Sequence, residues 1–156
     1  MNTTFSKDEI TNVARELLAV LSRVRGESAT IVALSGDLGA GKTTLTQSIA
    51  CELGVTEQLI SPTFVIMKRY EIPKSKSEGI FSTLIHIDAY RLESSRELER
   101  LGWAELIVDP KNLIIIEWPE KVPELIKQEA YVVSLSHVDE THRSILVDMK
   151  IVSDSL

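Results

Sequence analysis

Ile31-Val32-Ala33-Leu34-Ser35-Gly36-Asp37-Leu38-Gly39-Ala40-Gly41-Lys42-Thr43-Thr44 is the stretch from which the rest of the chain is read. Gly36, four intervening residues and then Gly41-Lys42-Thr43 complete the G-x-x-x-x-G-K-[ST] pattern of a phosphate-binding loop. The apolar run Ile31 to Leu34 precedes it as a buried strand does, and a helical pattern through Leu45, Ile49, Ala50 and Leu53 follows it until Gly54. Between strand and helix, glycines let the main chain wrap an anion so that successive N–H groups and the helix N-terminus point at phosphate oxygens. Gly36, Asp37, Leu38, Gly39, Ala40, Gly41, Lys42, Thr43 and Thr44 are therefore the candidate nucleotide-binding residues. Lys42 has the reach for β- and γ-phosphates, and the Thr43 hydroxyl is a hard oxygen suited to Mg2+. A glycine-rich turn that merely joins strand to helix is the bland reading of the same residues.

With 156 residues, 44% apolar and 26% charged, the chain suits one globular domain over residues 1–156 and would be crowded as two. Its 17 basic against 23 acidic residues give a formal charge of −6, so no electropositive surface able to grip nucleic acid unaided is expected. Cys51, the single cysteine, falls in the helix after the loop and reads as a small buried hydrophobe rather than a nucleophile. The first residues show no basic segment followed by an apolar one, and no run is long enough to span a bilayer. A cytoplasmic protein with no membrane partner is the expectation.

The outlying segments predict an α/β fold: a mixed, P-loop-type sheet flanked by helices, with antiparallel hairpins. Ser6 and Glu9 are spaced as a capping box, and Ile10, Val13, Ala14, Leu17, Leu21 and Val24 recur at helical intervals until Gly26. Leu59 to Phe64 contains Pro62 and interrupts regular pairing. Phe64 to Ile72 and Phe81 to Asp88 read as two strands of a hairpin about the polar Pro73 to Gly79 turn. Ser94 and Ser95 offer caps for a helix through Leu98 and Leu101, which Gly102 interrupts before Trp103 to Ile107. Leu113 to Glu117 has the unbroken apolar character of a strand buried on both faces. A short helical piece over Val122 to Lys127 precedes a second hairpin, Tyr131 to Val138 and Ile145 to Val152.

A phosphate loop needs an acid near its Mg2+, often at the carboxyl end of another strand. Glu117, which ends the apolar run, is the first choice for ordering the metal or its water, and Asp88, ending a more polar strand, the second. Either is otherwise an ordinary carboxylate where strand meets loop. Thr63 either senses the γ-phosphate or terminates a turn, and Trp118 either packs in the core or locks Glu117 and covers the site. His86 reads as a residue facing the sheet, and His86, His137 and His142 lack metal-ligand spacing. No arginine is evidently placed as a finger. Thr11, from position alone, is a surface threonine.

Gly36 to Thr44, Ser61-Pro62-Thr63-Phe64, His86-Ile87-Asp88-Ala89-Tyr90-Arg91-Leu92 and Ile116-Glu117-Trp118-Pro119-Glu120-Lys121 together resemble the TsaE (YjeE/YdiB) family in order and spacing. Glu97 to Gly102 is similar to that family's acidic helix; the last hairpin matches only in outline. The resemblance implies a P-loop ATPase needed for N6-threonylcarbamoyladenosine (t6A) formation in tRNA. It also implies a complex with TsaD and TsaB that ATP hydrolysis resets, tRNA being met only through that complex. By position it implies that Lys42 and Thr43 hold phosphate and Mg2+ and that Thr63 lies on a switch-like loop. It further makes Asp88, Glu117 and Trp118 functional and Thr11 a nucleotide contact.

The residues leave two other readings open. A small-molecule kinase of similar size is one, although the Lys74 to Gly79 turn looks short for an arginine-bearing lid. A nucleotide-controlled binding module without required hydrolysis is the other. A guanine-specific enzyme fits less well, since no N-K-x-D segment occurs.

Overall fold

In the computed structural model the chain starts with β1 (Asn2–Ser6), turns through a 3-10 helix (Lys7–Glu9) and enters α1 (Ile10–Leu21). β2 (Thr30–Ser35), the phosphate loop and α2 (Lys42–Glu52) follow. Next come β3 (Met67–Glu71), β4 (Thr83–Asp88), the short α3 (Ser95–Arg100) and α4 (Trp103–Ile107), and β5 (Asn112–Glu117). Two 3-10 turns, Pro119–Lys121 and Pro123–Leu125, lead to the hairpin of β6 (Ala130–His137) and β7 (His142–Lys150). Residues 1–23, 26–60, 64–76, 79–126 and 130–150 are described.

All these strands join one seven-stranded sheet in the order β1-β7-β6-β2-β5-β4-β3. β6, β2, β5 and β4 run parallel at its centre, and β1, β7 and β3 pair antiparallel at its margins. The expected mixed sheet with hairpins is thus what forms. Successive strand residues point to opposite faces. Val32, Leu34, Leu84, Leu113 and Ile115 enter the core shared with α1 and α2, whereas Ile31, Ile85, Ile87, Ile114 and Ile116 enter the one shared with α3 and α4. Burial on both faces explains why Ile31 to Leu34 and Leu113 to Ile116 show no polar alternation. Register then sets the working edge. Glu117 lies level with Leu34 on one side and with Asp88 on the other, so both acids end their strands beside the start of the phosphate loop.

Several local readings hold. The Ser6–Glu9 capping box is formed, its Ser6 amide donating to Glu9 Oε2 at 2.7 Å, and a second box links Ser94 and Glu97. The Ser94-capped helix ends at Arg100, and Gly102, at φ 90°, stands between it and α4. At the β6–β7 turn Asp139 Oδ1 accepts the amides of Thr141 and His142, both at 2.8 Å, and these bonds hold its carboxyl well below the usual carboxylate range.

Others are corrected. β1 is absent from the sequence expectation: Asn2-Thr3-Thr4-Phe5-Ser6 offers one buried anchor, Phe5, and its pairing to β7 is nonlocal, so no local pattern announces it. α1 stops at Leu21 rather than running to Gly26: the Arg23 amide bonds the Val20 carbonyl, three residues back, at 3.2 Å, and the chain leaves the α-helical ladder there. β3 begins at Met67 rather than Phe64, after Ile66 has taken φ 64°. The helical piece expected over Val122 to Lys127 is a 3-10 turn, Pro123–Leu125, and a second such turn, Pro119–Lys121, precedes it; Pro123 has no N–H with which to bond the Pro119 carbonyl and continue an α-helix from the first turn. Val24, Lys127 and Val152 lie outside the described residues. Cys51 is exposed, not buried: Leu45, Ile49 and Ala50 form the packed side of α2 and Cys51 turns away from it. No helix among the described residues is long and apolar enough to cross a membrane.

Candidate functional site

The loop between β2 and α2 crosses close to β6, and this sets its first glycine. A Cβ on Gly36, whose φ is 146°, would lie 2.5 Å from the Leu135 carbonyl oxygen. Gly36→Ala should therefore cost about 2–3 kcal/mol of stability from backbone strain and displacement of β6, read as a lower denaturation midpoint. At the other end Gly41, with φ 104°, serves as N-cap of α2, where the leading amides of a helix have no carbonyl partner within it. The loop thus presents main-chain donors and the positive end of an eleven-residue helix to the same space.

Lys42, the first residue of α2, is 5% exposed. Its Nζ donates to the carbonyls of Gly36 at 2.6 Å and Asp37 at 3.0 Å, and stands 4.2 Å from the centre of the Trp118 ring. Carbonyls and ring face together satisfy a nearly buried cation. Trp118 reaches that position because it leaves β5 in a left-handed conformation, φ 59°, ahead of Pro119; its ring also meets Tyr90 at 5.0 Å. It covers Lys42, then, within the cleft that Glu117 also lines.

Thr43 follows Lys42 on the helix and looks toward the strand ends. Its hydroxyl donates to both oxygens of Glu117, at 3.1 and 3.2 Å. Glu117 Oε1 also lies 2.7 Å from Nε2 of His86. Asp88 Oδ1 accepts the Tyr90 amide at 3.0 Å, and the Ala89 amide donates to the Glu117 carbonyl at 3.0 Å, so the turn after β4 is tied to both acids. Two largely buried carboxylates on adjacent strands repel each other unless a cation is near. With the Thr43 hydroxyl they form a set of hard oxygen donors that fits Mg2+, an ion commonly bound through one or two carboxylates plus substrate phosphates and water. Among the described residues no group of three or more His, Cys, Asp or Glu gathers to hold a metal.

Leu38, Gly39, Gly41, Lys42, Thr43, Thr44, Asp88, Glu117 and Trp118 line one open cleft of about 370 Å³. Most of the residues singled out from the sequence therefore come together. Thr11 does not line this cleft: it is exposed on the first turn of α1, next to Ile10, which lines a second hollow with Phe5, Lys7, Arg143 and the loop's own Gly39, Ala40, Gly41 and Thr44. Ser61, Pro62 and Thr63 lie outside the described residues. Two residues of the His86–Leu92 segment take on a role at or behind this cleft only in the structure. Arg91 lines it beside Tyr90, its guanidinium 5.0 Å from the centre of the Phe64 ring, although no finger arginine is expected from the sequence. His86 does not simply face the sheet but bonds a candidate catalytic acid; its two-residue spacing from Asp88, hence one strand face, is the available signal.

The family model described as threonylcarbamoyl adenosine biosynthesis protein TsaE matches residues 4–145. A tRNA threonylcarbamoyladenosine biosynthesis protein TsaE from Nostoc sp. is 38% identical over 125 residues, covering 76% of this chain and 71% of its own length. The TsaE protein of Rickettsia prowazekii is 35% identical over 144 residues, 92% of this chain and 90% of its own. The crystal structure of Bacillus subtilis YdiB superposes with a TM-score of 0.69 at 26% identity, covering 94% of this chain and 83% of that one.

Proposed function

The chain belongs to the family of the threonylcarbamoyl adenosine biosynthesis protein TsaE, and from that premise we propose that it is a Mg2+-dependent ATPase acting with TsaB and TsaD in t6A formation on tRNA. The observation that carries the reading is the contact of the Thr43 hydroxyl with the Glu117 carboxylate, at 3.1 and 3.2 Å, beside a lysine held inside a glycine loop. A threonine that donates its proton to a carboxylate keeps lone pairs free for a cation, and the carboxylate supplies the charge.

In this reading the loop amides and the Lys42 ammonium take up the charge of the β- and γ-phosphates, and Lys42 exchanges the Gly36 and Asp37 carbonyls for phosphate oxygens. Thr43, Glu117 and Asp88 would hold Mg2+, which when bound would neutralise phosphate charge. Glu117 orients the attacking water and accepts its proton as the water oxygen bonds to the γ-phosphorus and the bond to the ADP oxygen breaks. Arg91, at the cleft wall, adds a second cation on the same side. The formal charge of −6 agrees with tRNA being held by the partners rather than by this chain.

The test is hydrolysis of ATP by the purified protein alone and with TsaB and TsaD. Slow turnover alone, rising by at least about tenfold in the complex, is expected where a partner completes a phosphoryl-transfer site. Equally rapid hydrolysis by the lone protein would argue against the partner's role. Transfer of the γ-phosphate to a metabolite instead of water would make the protein a kinase.

A further inference from the structure

His86 is fully buried in β4, on the face that also carries Leu84 and Asp88. Its Nε2 lies 2.7 Å from Glu117 Oε1, while its Nδ1 meets no partner among the described residues. A carboxylate only accepts, so Nε2 donates to it, and Nδ1 is left without a partner in the interior. Leaving that nitrogen unpaired is unfavourable, and a leucine would fill the position without it. The site therefore tolerates a packing penalty to keep one N–H aimed at one carboxylate oxygen.

The geometry of Glu117 shows what that N–H does. Thr43 approaches both carboxylate oxygens almost equally, at 3.1 and 3.2 Å, and by itself does not choose between them. His86 contacts Oε1 alone and at the shorter distance, so it breaks the tie. We infer that His86 is a positioning residue: by holding Oε1 of Glu117 it turns Oε2 toward the cleft, where the acid meets the metal or its water. The inference rests on the role given to Glu117 above and adds to it the group that sets the orientation of that acid.

The experiment compares His86→Leu, His86→Gln and Glu117→Gln in the full-length protein. Calorimetry gives ADP affinity with and without Mg2+, and hydrolysis gives the Mg2+ concentration for half-maximal rate together with kcat and KM. Glutamine offers an amide donor at about the reach of Nε2; leucine fills the space without one. His86→Leu is expected to raise the Mg2+ requirement by about 10–100-fold, the usual cost of removing a group that orients a metal ligand, with Mg2+-free ADP affinity within about twofold. His86→Gln is expected to recover most of the loss. If both variants lower the melting midpoint while the Mg2+ requirement stays at the wild-type value, His86 is a core residue only and the inference is overturned. Should His86→Leu fail to fold, His86→Asn replaces it: its shorter amide cannot reach Glu117, and a requirement equal to that of His86→Gln is the contrary result. A Glu117→Gln protein with unaltered Mg2+ dependence removes the underlying assignment and this inference together. A shifted Glu117→Gln beside an unshifted His86→Leu removes the inference alone.

Discussion

Lys42→Ala is expected to weaken binding of both ATP and ADP by about 10²–10³-fold, or roughly 3–4 kcal/mol, the scale of two charge-assisted hydrogen bonds to phosphate lost together. The lysine is nearly buried, and its charge is met by two loop carbonyls and one ring face. A triphosphate entering the cleft offers a far stronger counter-charge in the same place. The loss should be similar with and without Mg2+, because the ammonium acts on phosphate oxygens directly. Removing it also frees the Gly36 and Asp37 carbonyls, so a loss of about 1–2 kcal/mol in folding stability is expected alongside. Isothermal calorimetry, paired with a denaturation midpoint on the same sample, separates the two effects. A dissociation constant within twofold of wild type would leave the phosphate-loop reading without support.

The parts legible in the sequence are those whose cause is local. A glycine-lysine-threonine spacing, a proline, a capping serine followed by glutamate three residues later, or an apolar run ending in an acid each constrains the backbone nearby. Accordingly the loop, the Ser94-capped helix, Glu117 at a strand end and both hairpins emerge where their residues point. What escapes depends on contacts across the sheet. β1 exists because β7 offers an edge, and the polar Asn2, Thr3, Thr4 and Ser6 about a single Phe5 give no sign of it. Cys51 departs from expectation because one step along a helix turns a side chain by about 100°, enough to leave the packed side. His86 and Arg91 stand in the His86–Leu92 segment that carries the resemblance, but what each does is hidden for a related reason: each acquires its role only from a residue on another strand or loop.

Glu117→Gln separates binding from chemistry. Glutamine keeps the shape of the side chain, and its amide oxygen still accepts from the Thr43 hydroxyl and from His86 Nε2, so the loop and Lys42 should be undisturbed and ATP affinity should stay within about fivefold of wild type. Lost are the negative charge and the proton acceptor for water. Hydrolysis is expected to fall by about 10²–10⁴-fold, the usual contribution of a positioned general base, in the complex with TsaB and TsaD as well as alone. Because a buried carboxylate beside Asp88 is replaced by a neutral group, like-charge repulsion is relieved, and the melting midpoint should hold or rise. A fall in rate therefore cannot be blamed on unfolding when the midpoint is measured on the same sample. The discriminating observation is repeated t6A formation by the complex carrying this variant. Product limited to about one round per complex, with ATP still bound, makes hydrolysis the step that resets the assembly. Sustained product formation without hydrolysis would instead make the chain a nucleotide-controlled binding module, with Glu117 serving to order the loop rather than to break a phosphate bond.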